Sequence, residues 1–263
     1  MELGFDAKRL FCNFTGLGNY SRTLVGNIQR YHPEHRLHLY TPKIRQIEQT
    51  KPFLDEKLYN VRQPSCRLNK LWRSWGMIKD FRRDKIDLFH GLSHEIPFGM
   101  NKSGIKSVVS IHDLIFKVYP ETYTSIDRNI YDLKFRYACK NADRILAISE
   151  STRHDIIKYY RVDEGKIDVA YQSCSPMLNI GVEQQESFDV KSHYNLPDDY
   201  ILYVGTVEKR KNLKTLLSAL ASMETIDRPA LVVVGKGRSY KAECKDMVIN
   251  SGLQSSVFWL DYL

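Results

Sequence analysis

The sequence predicts an α/β protein built on a mostly parallel sheet, followed by the first part of a second unit of the same kind. Strand-like and helix-like segments alternate along the first 171 residues. Strands such as Ile145–Ile148 are apolar throughout, as expected for strands that helices cover on both faces. This alternation of strands and helices stops at residues 175–198 and begins again at Tyr200.

The spacing of apolar residues gives the elements of the first unit. Strands are predicted at 1–5, 36–41, 86–89, 106–111, 144–148 and 167–171. Helices are predicted at 20–31, 70–84, 126–142 and 152–160. In the third of these helices the apolar face is expected to contain Ile126, Ile130, Leu133 and Tyr137.

The segment after the first unit is rich in proline, glycine, glutamate and glutamine, which is typical of a linker. We therefore divide the chain into a first domain at 1–178, a linker at 179–198 and an incomplete second domain at 199–263. The second domain begins with a strand at 200–204 that we expect to be buried. Further strands are predicted at 231–234 and 257–260, and helices at 213–223 and 239–250. These elements make about half of a doubly wound domain, so we expect a fragment that is inactive alone, or an edge that a partner covers.

Composition limits the function classes. The 263 residues are 43% hydrophobic and 27% charged, which excludes a mainly disordered chain. No apolar run is long enough to span a bilayer, and the five scattered cysteines form no C-x-x-C pair. We therefore expect a cytoplasmic protein. The net charge of +8 favours anionic partners, including the inner face of a membrane. No nucleic-acid-binding motif accompanies this charge, so we expect no nucleic-acid partner.

Several familiar motifs are missing or imperfect. The segment Gly16-Leu17-Gly18-Asn19-Tyr20-Ser21 has serine where a dinucleotide-binding fingerprint needs its third glycine, and it lies ten residues after the first strand. It suits an anion-binding loop before a helix better than a nicotinamide site. The chain has no P-loop and no Asp-x-Asp pair, and we expect neither a metal nor a cofactor.

Two histidines follow apolar strands. His112 and Asp113 follow the strand that ends at Ile111, and His90 ends the preceding strand. Because ligands bind at the carboxyl edge of parallel sheets, these side chains are predicted to line one cleft and to orient a hydroxyl-rich ligand. The alternative is that Asp113 caps a helix and His112 is simply satisfied at a strand end.

A basic turn lies between a strand and a helix in the second domain. It runs Gly205-Thr206-Val207-Glu208-Lys209-Arg210-Lys211-Asn212. Three consecutive cations after a glycine, before a helix N-terminus, favour binding of a diphosphate. The alternative is a solvated turn in which Glu208 pairs with Lys209 or Arg210.

Taken together, these segments resemble the GT-B-fold glycosyltransferases of family 4, particularly the bacterial mannosyltransferase-like group. The resemblance extends from residue 1 to the end of the chain. It rests on five sets of residues in the family's order: Asp6–Arg9 with Thr15–Arg22, Phe89–Gly91 with Pro97, Ser110–Leu114, Ala142–Thr152 and Tyr200–Leu213.

The resemblance implies two Rossmann-like domains and a retaining transfer of a hexose from a nucleotide-sugar, without a metal. GDP-mannose is the donor that we expect, and a glycan or lipid-linked molecule in polysaccharide biosynthesis is the expected acceptor. The implied roles are catalysis for His112 and Asp113 and an acceptor-side position for His90, Ser149 and Glu150. Donor binding is implied for the remaining residues: Gly16, Gly18, Asn19, Gly205, Thr206, Glu208, Arg210 and Lys211.

The chain departs from the family in two places. It has no Glu-x7-Glu segment after Tyr262, and Thr206 stands where some relatives have arginine. The first departure motivates an alternative, in which the protein is a non-catalytic binding or assembly partner of another glycosyltransferase. A nicotinamide-dependent oxidoreductase would rest on the Gly16 segment alone.

Overall fold

The computed structural model describes residues 1–64, 71–174 and 190–261. The chain divides into two compact units, Met1–Asn179 and Ile180–Leu263. The predicted end of the first domain, at residue 178, and residues 179–189 of the predicted linker lie outside the described residues. Of the remainder of that linker, residues 190–193 are helical.

The first unit is a seven-stranded parallel sheet with helices on its faces, as the sequence predicts. The strand order is β3-β2-β1-β4-β5-β6-β7, so β1 and β4 lie side by side near the middle. The strands are β1 Glu2–Asp6, β2 Arg36–Tyr40, β3 Tyr59–Arg62, β4 Leu88–Gly91, β5 Lys106–Ile111, β6 Arg144–Ala147 and β7 Ile167–Val169.

Helices and short helical turns connect these strands. The main helices are Lys8–Cys12, Gly16–Tyr31, Met77–Arg83, Ile115–Val118, Ser125–Asn141 and Glu150–Tyr160. A π-helical turn, Trp72–Gly76, leads directly into the helix Met77–Arg83. Because all seven strands are parallel, their carboxyl ends meet at one edge, which is where ligands bind in such sheets.

Two differences in boundary bear on the site, and one strand was not predicted. The second helix begins at Gly16, four residues early, so the glycine-rich segment is its first turn and not a loop before it. Strand β4 begins and ends two residues late, which places His90 inside the strand. The edge strand β3 was not predicted because it has only four residues and lies in a polar stretch of sequence.

The apolar face predicted for the helix Ser125–Asn141 is wrong at three of its four residues, while the fourth, Tyr137, is partly buried against the core. Ile126, Ile130 and Leu133 are 73%, 47% and 62% exposed. The helix instead packs through Phe135, Ala138 and Cys139. The sequence contains two apolar stripes at helical spacing, and tertiary packing selects the aromatic one, because Phe135 stacks on His94 and contacts Phe116.

The second unit contains a three-stranded parallel sheet in the order β10-β9-β8. Its strands are β8 Tyr200–Val204, β9 Ala230–Val234 and β10 Val257–Leu260, and its helices include Leu213–Ala221 and Ser239–Asn250. These elements agree with the prediction, but the expectation that 200–204 is buried is wrong. Val204 is 70% exposed, because β8 has a neighbouring strand on one side only in the described part of this sheet.

Among the described residues, no helix has both the length and the apolar character needed to cross a bilayer.

The two stripes of the helix Ser125–Asn141 give a stability test. We expect Phe135→Ala to lower the free energy of unfolding of the first unit by about 3–5 kcal/mol, because a buried aromatic ring leaves a cavity. The control Leu133→Ala should change it by less than about 0.5 kcal/mol, since that side chain is exposed. Urea denaturation of both variants measures the difference. Equal losses would show that the predicted stripe is buried after all.

Candidate functional site

A cluster of polar side chains lies where β1, β4 and β5 end. It contains His90 from β4, Ser110 from β5, and His112 directly after β5. Tyr20, from the helix Gly16–Tyr31, reaches into the same cluster. The pairing of β4 with β5 brings the two predicted histidines to neighbouring strands, as the sequence indicates.

His112 is held in one orientation by both ring nitrogens. Its Nε2 lies 3.0 Å from the carbonyl oxygen of Leu92, which can only accept, so Nε2 carries the proton. Nδ1 lies 2.9 Å from the amide nitrogen of Gln172 and accepts its hydrogen bond. Burial lowers the pKa of His112 even though the Leu92 carbonyl partly offsets this effect. The side chain is therefore a neutral imidazole with an acceptor at Nδ1.

His90 belongs to a hydrogen-bonded chain with two hydroxyl groups. Its Nε2 lies 2.8 Å from Ser110 Oγ, which in turn lies 2.7 Å from the hydroxyl of Tyr20. The Tyr20 ring also contacts His112 edge-on, with centroids 4.6 Å apart. Burial, with a further contribution from His112, lowers the pKa of His90 to about 4. His90 is thus enclosed by the protein, and its ring lies beneath the surface of the site.

A third histidine, which the prediction did not place in the site, completes the cluster. His94 has a left-handed backbone, with φ 65°, and its ring stacks on Phe135 with centroids 4.3 Å apart. It also contacts His112 edge-on, and burial holds its pKa well below the usual range. The signal for it in the sequence is its position four residues after His90, where β4 has just ended.

An ion-pair network lies at the end of β1, next to these histidines. The guanidinium of Arg73, on the π-helical turn, binds both carboxylate oxygens of Asp6 at 2.6–3.1 Å. It also pairs with Glu95 at 3.2 Å, and Glu95 pairs with Lys134 at 3.0 Å. Burial opposes the charge on Arg73, but the two carboxylates raise its pKa above the ordinary value.

The turn before the helix Gly16–Tyr31 is tightly organised. Asn13 Oδ1 accepts hydrogen bonds from the backbone N–H groups of Thr15 and Gly18, both at 3.0 Å. Arg22 donates to the carbonyls of Leu10 and Asn13 and to Asn19 Oδ1. A Cβ at position 18 would lie 1.7 Å from the Asn13 carbonyl oxygen, so only glycine fits.

Of the three predicted donor-binding residues of the first unit, two are engaged within this turn and one is open. The Gly18 amide and the Asn19 side chain are engaged within the turn itself. Gly16 is open, with no atom within 4 Å of where a Cβ would lie. The amides that can meet an anion are therefore those of Gly16 and Leu17, at the first turn of the helix.

The other predicted residues of the first unit have local partners. The Asp113 carboxylate is exposed and accepts from the backbone N–H of Ile115 at 3.2 Å, but the N-cap position of the short helix Ile115–Val118 is Leu114 and not Asp113. Ser149 caps the helix Glu150–Tyr160 by accepting from the N–H of Thr152, and Glu150 pairs with Arg153 at 3.0 Å. Thr152 Oγ1 donates to the carbonyl of His112, which fixes this helix to the site.

The basic turn of the second unit follows β8. Gly205 has a φ of 142°, a conformation that favours glycine, and Lys209–Lys211 form one helical turn before the helix Leu213–Ala221. Glu208 pairs with Arg210 at 2.6 Å, as one alternative predicts. Thr206, Lys209 and Lys211 are exposed, and neither lysine forms an ion pair with a described residue. The turn thus carries two cations available to an anion.

Groups of three or more histidine, cysteine, aspartate or glutamate side chains that could hold a metal ion are absent from the described segments.

Comparison with known proteins shows the family and the fold. Residues 14–173 match the sequence model of Glycosyltransferase Family 4, and residues 184–263 match that of Glycosyl transferases group 1. The chain is 27% identical over 281 residues to O-antigen chain mannosyltransferase B of Escherichia coli, an alignment that covers all of this chain and 71% of that protein. It is 23% identical over 167 residues to O-antigen chain mannosyltransferase RfbU of Salmonella typhimurium, covering 64% and 41% of the two chains.

Solved structures share the fold at low sequence identity. HepE of Anabaena in complex with UDP-glucose superimposes with a TM-score of 0.68 at 14% identity, covering all of this chain and 69% of that one. WaaG, a glycosyltransferase involved in lipopolysaccharide biosynthesis, superimposes with a TM-score of 0.64 at 14% identity, covering 100% and 70%. The fold is therefore GT-B-like, as predicted. Because the family model matches most of its length, the chain belongs to Glycosyltransferase Family 4.

Proposed function

We propose that the protein is a retaining glycosyltransferase that moves mannose from GDP-mannose to a glycan or lipid-linked acceptor in polysaccharide biosynthesis. The observation that carries the proposal is His112, a neutral and fixed imidazole at the carboxyl edge of the sheet in a family 4 chain. The choice of mannose is supported by the mannosyltransferases among the relatives.

His112 suits recognition of a sugar hydroxyl. Its Nε2–H is occupied by the Leu92 carbonyl, so the acceptor at Nδ1 is the part of the ring that a ligand can use. A sugar hydroxyl can replace the exposed Gln172 amide as the donor to that nitrogen. The neutral ring neither repels a positively charged transition state nor requires a proton from solvent.

The leaving nucleoside diphosphate needs positive charge at the departing oxygen. Lys209 and Lys211 supply it in our proposal, together with the N–H groups at the start of the helix Leu213–Ala221. Arg210 contributes less than the sequence suggests, because its charge is compensated by Glu208. Such charge stabilisation needs no metal, in agreement with the missing Asp-x-Asp pair.

A donor panel with two variants tests the proposal. Protein purified from its natural host should transfer mannose from GDP-mannose in preference to UDP-glucose. Lys211→Gln should lower kcat/KM by about 10²-fold, because it removes one charge from the leaving group, while the exposed Lys245→Gln should change it less than about twofold. His112→Ala should lose turnover but keep affinity for GDP, measured by calorimetry.

Two outcomes would contradict the proposal. Unchanged turnover in both variants would remove the assigned roles. A complete lack of turnover with every donor, combined with stable copurification of a second glycosyltransferase, would favour the alternative of an assembly partner. The exposed apolar residues of β8 favour that alternative, because such an edge can pair with another strand.

The neutral histidines predict a dependence of stability on pH. The pKa of His90 is about 4 in the folded state and about 6.5 in an unfolded chain, so the unfolded state binds more protons between these values. The contribution of neutral His90 to the free energy of unfolding is therefore fully present above pH 6.5 and is lost as the pH falls towards 4.

We expect the low pKa of His90 alone to lower the free energy of unfolding by about 2 kcal/mol when the pH falls from 7 to 5. Urea denaturation at both pH values measures this loss, and His90→Gln should reduce it. The exposed His154→Gln is the control and should leave it unchanged. A loss of equal size in the wild type and His90→Gln would show that other groups are responsible.

We also propose that the exposed apolar face of the helix Ser125–Asn141 rests on an anionic membrane, where lipid-linked acceptors reside. Ile126, Ile130 and Leu133 share this face, and Lys140 lies seven residues after Leu133 on the same side. An apolar face bordered by a cation on a chain of charge +8 is typical of a surface that binds such lipids.

Vesicle sedimentation tests the membrane contact. The protein should pellet with phosphatidylglycerol vesicles at low salt, and Ile130→Gln with Leu133→Gln should lower the bound fraction several-fold. Ile226→Gln, an exposed residue of the second unit, is the matched control. Equal pelleting of all proteins, or no pelleting, would exclude this surface.

A further inference from the structure

Two adjacent cations, Lys8 and Arg9, follow β1 at the same edge of the sheet as the histidine cluster. Both are half-buried, and they lie on the short helix Lys8–Cys12. Arg9 Nε is shielded from solvent without a hydrogen-bond partner. No ion pair joins Lys8 or Arg9 to a carboxylate in the described part of the chain. We call these residues the Lys8–Arg9 pair.

The nearby acids are already in use. Asp6 and Glu95 both bind Arg73, and Glu95 also binds Lys134. Asp6 and Glu95 are thus paired with Arg73 and Lys134, and the Lys8–Arg9 pair adds two positive charges that form no ion pair with a described residue. Burial and then the charges of Arg73 and Arg9 lower the pKa of Lys8, and the charges of Glu95 and Asp6 oppose this only in part, which agrees with crowding of like charges.

Arg9 of the pair is close to the histidine cluster. Burial is the main reason for the low pKa of His94 and His112, and the charge of Arg9 adds to the effect at both rings. The pair is also fixed in place. Lys8 N–H donates to Asp6 Oδ1 at 3.2 Å, and Arg22 binds the Leu10 carbonyl of the same helix at 2.8 Å.

We propose that the Lys8–Arg9 pair binds a phosphoryl group beside His112. Like charges held together in a half-buried place are unfavourable until an anion occupies the site, and a phosphoryl dianion matches the excess of two charges. The half-buried Arg9 guanidinium supplies directed N–H donors, and the Lys8 ammonium supplies a point charge.

This inference deepens the proposed function and rests on it for the identity of the ligand. Two substrates of such a transferase carry phosphoryl groups: the nucleotide-sugar donor and a phosphorylated, lipid-linked acceptor. The chemistry at the Lys8–Arg9 pair is the same for both, so the two sources are separated by experiment.

The test measures binding of inorganic pyrophosphate by isothermal titration calorimetry at low salt. We compare the full chain with Lys8→Gln and Arg9→Gln. Two exposed cations of the same unit, Lys102→Gln and Arg82→Gln, are the matched controls. Each site variant should weaken binding by about tenfold or more, because a charge-assisted hydrogen bond is lost, and the controls should bind like the wild type.

A second readout does not depend on ligand. If the pair is crowded by like charge, Lys8→Gln should leave the thermal midpoint of the free protein unchanged or raise it. A lower midpoint would mean that Lys8 has a stabilising partner, which would overturn the inference. Equal pyrophosphate affinity in all five proteins, or no binding by any of them, would overturn it as well.

Two further titrations distinguish the sources. Loss of affinity for GDP in the site variants would assign the pair to the donor, and loss of affinity for farnesyl diphosphate alone would assign it to the acceptor. Failure of the proposed function is seen separately, as a lack of mannose transfer by a protein that still binds pyrophosphate through Lys8 and Arg9.

Discussion

The buried ion pair between Asp6 and Arg73 is the interaction on which the rest of the site depends. It joins the last residue of β1 to the π-helical turn, and through Glu95 it also fixes the loop that follows β4. Removing one partner of such a pair leaves an uncompensated buried charge, at a cost of about 3–5 kcal/mol. Because Asp6 also receives the N–H of Lys8, the same carboxylate fixes the start of the next helix. One side chain thus sets the positions of three segments that border the histidines.

The histidine cluster shows how a polar site can be held inside an apolar sheet edge. Each ring has a specific neighbour: a carbonyl and an amide for His112, a hydroxyl for His90 and an aromatic ring for His94. Burial favours the neutral form of all three rings. The site therefore offers acceptors and hydroxyl groups without charge, while the cations lie at its border. This separation suits a ligand with uncharged hydroxyls at one end and phosphates at the other.

Much of the fold could be predicted from sequence, because apolar strands and amphipathic helices have distinct periods. The prediction that His90 and His112 lie on neighbouring strands also followed from order along the chain, and the structure confirms it. The predictions that failed depend on contacts between residues that are far apart in sequence. The helix Ser125–Asn141 has two apolar stripes, and only the position of Phe116 and His94 decides between them. Gln172 lies 60 residues from His112, so no local pattern could reveal their hydrogen bond.

Gly18 has a consequence for how this family could vary. The Asn13 carbonyl occupies the space where any other side chain would begin, so the position accepts no gradual change in size. Any larger residue at position 18 would therefore clash with the Asn13 carbonyl, and this geometry of the turn requires glycine there. The direction in which the Gly16 and Leu17 amides point is thus fixed together with the contact between residues 13 and 18. A change in ligand specificity at this edge must come from the side chains around the turn, since the backbone itself has no room to adapt.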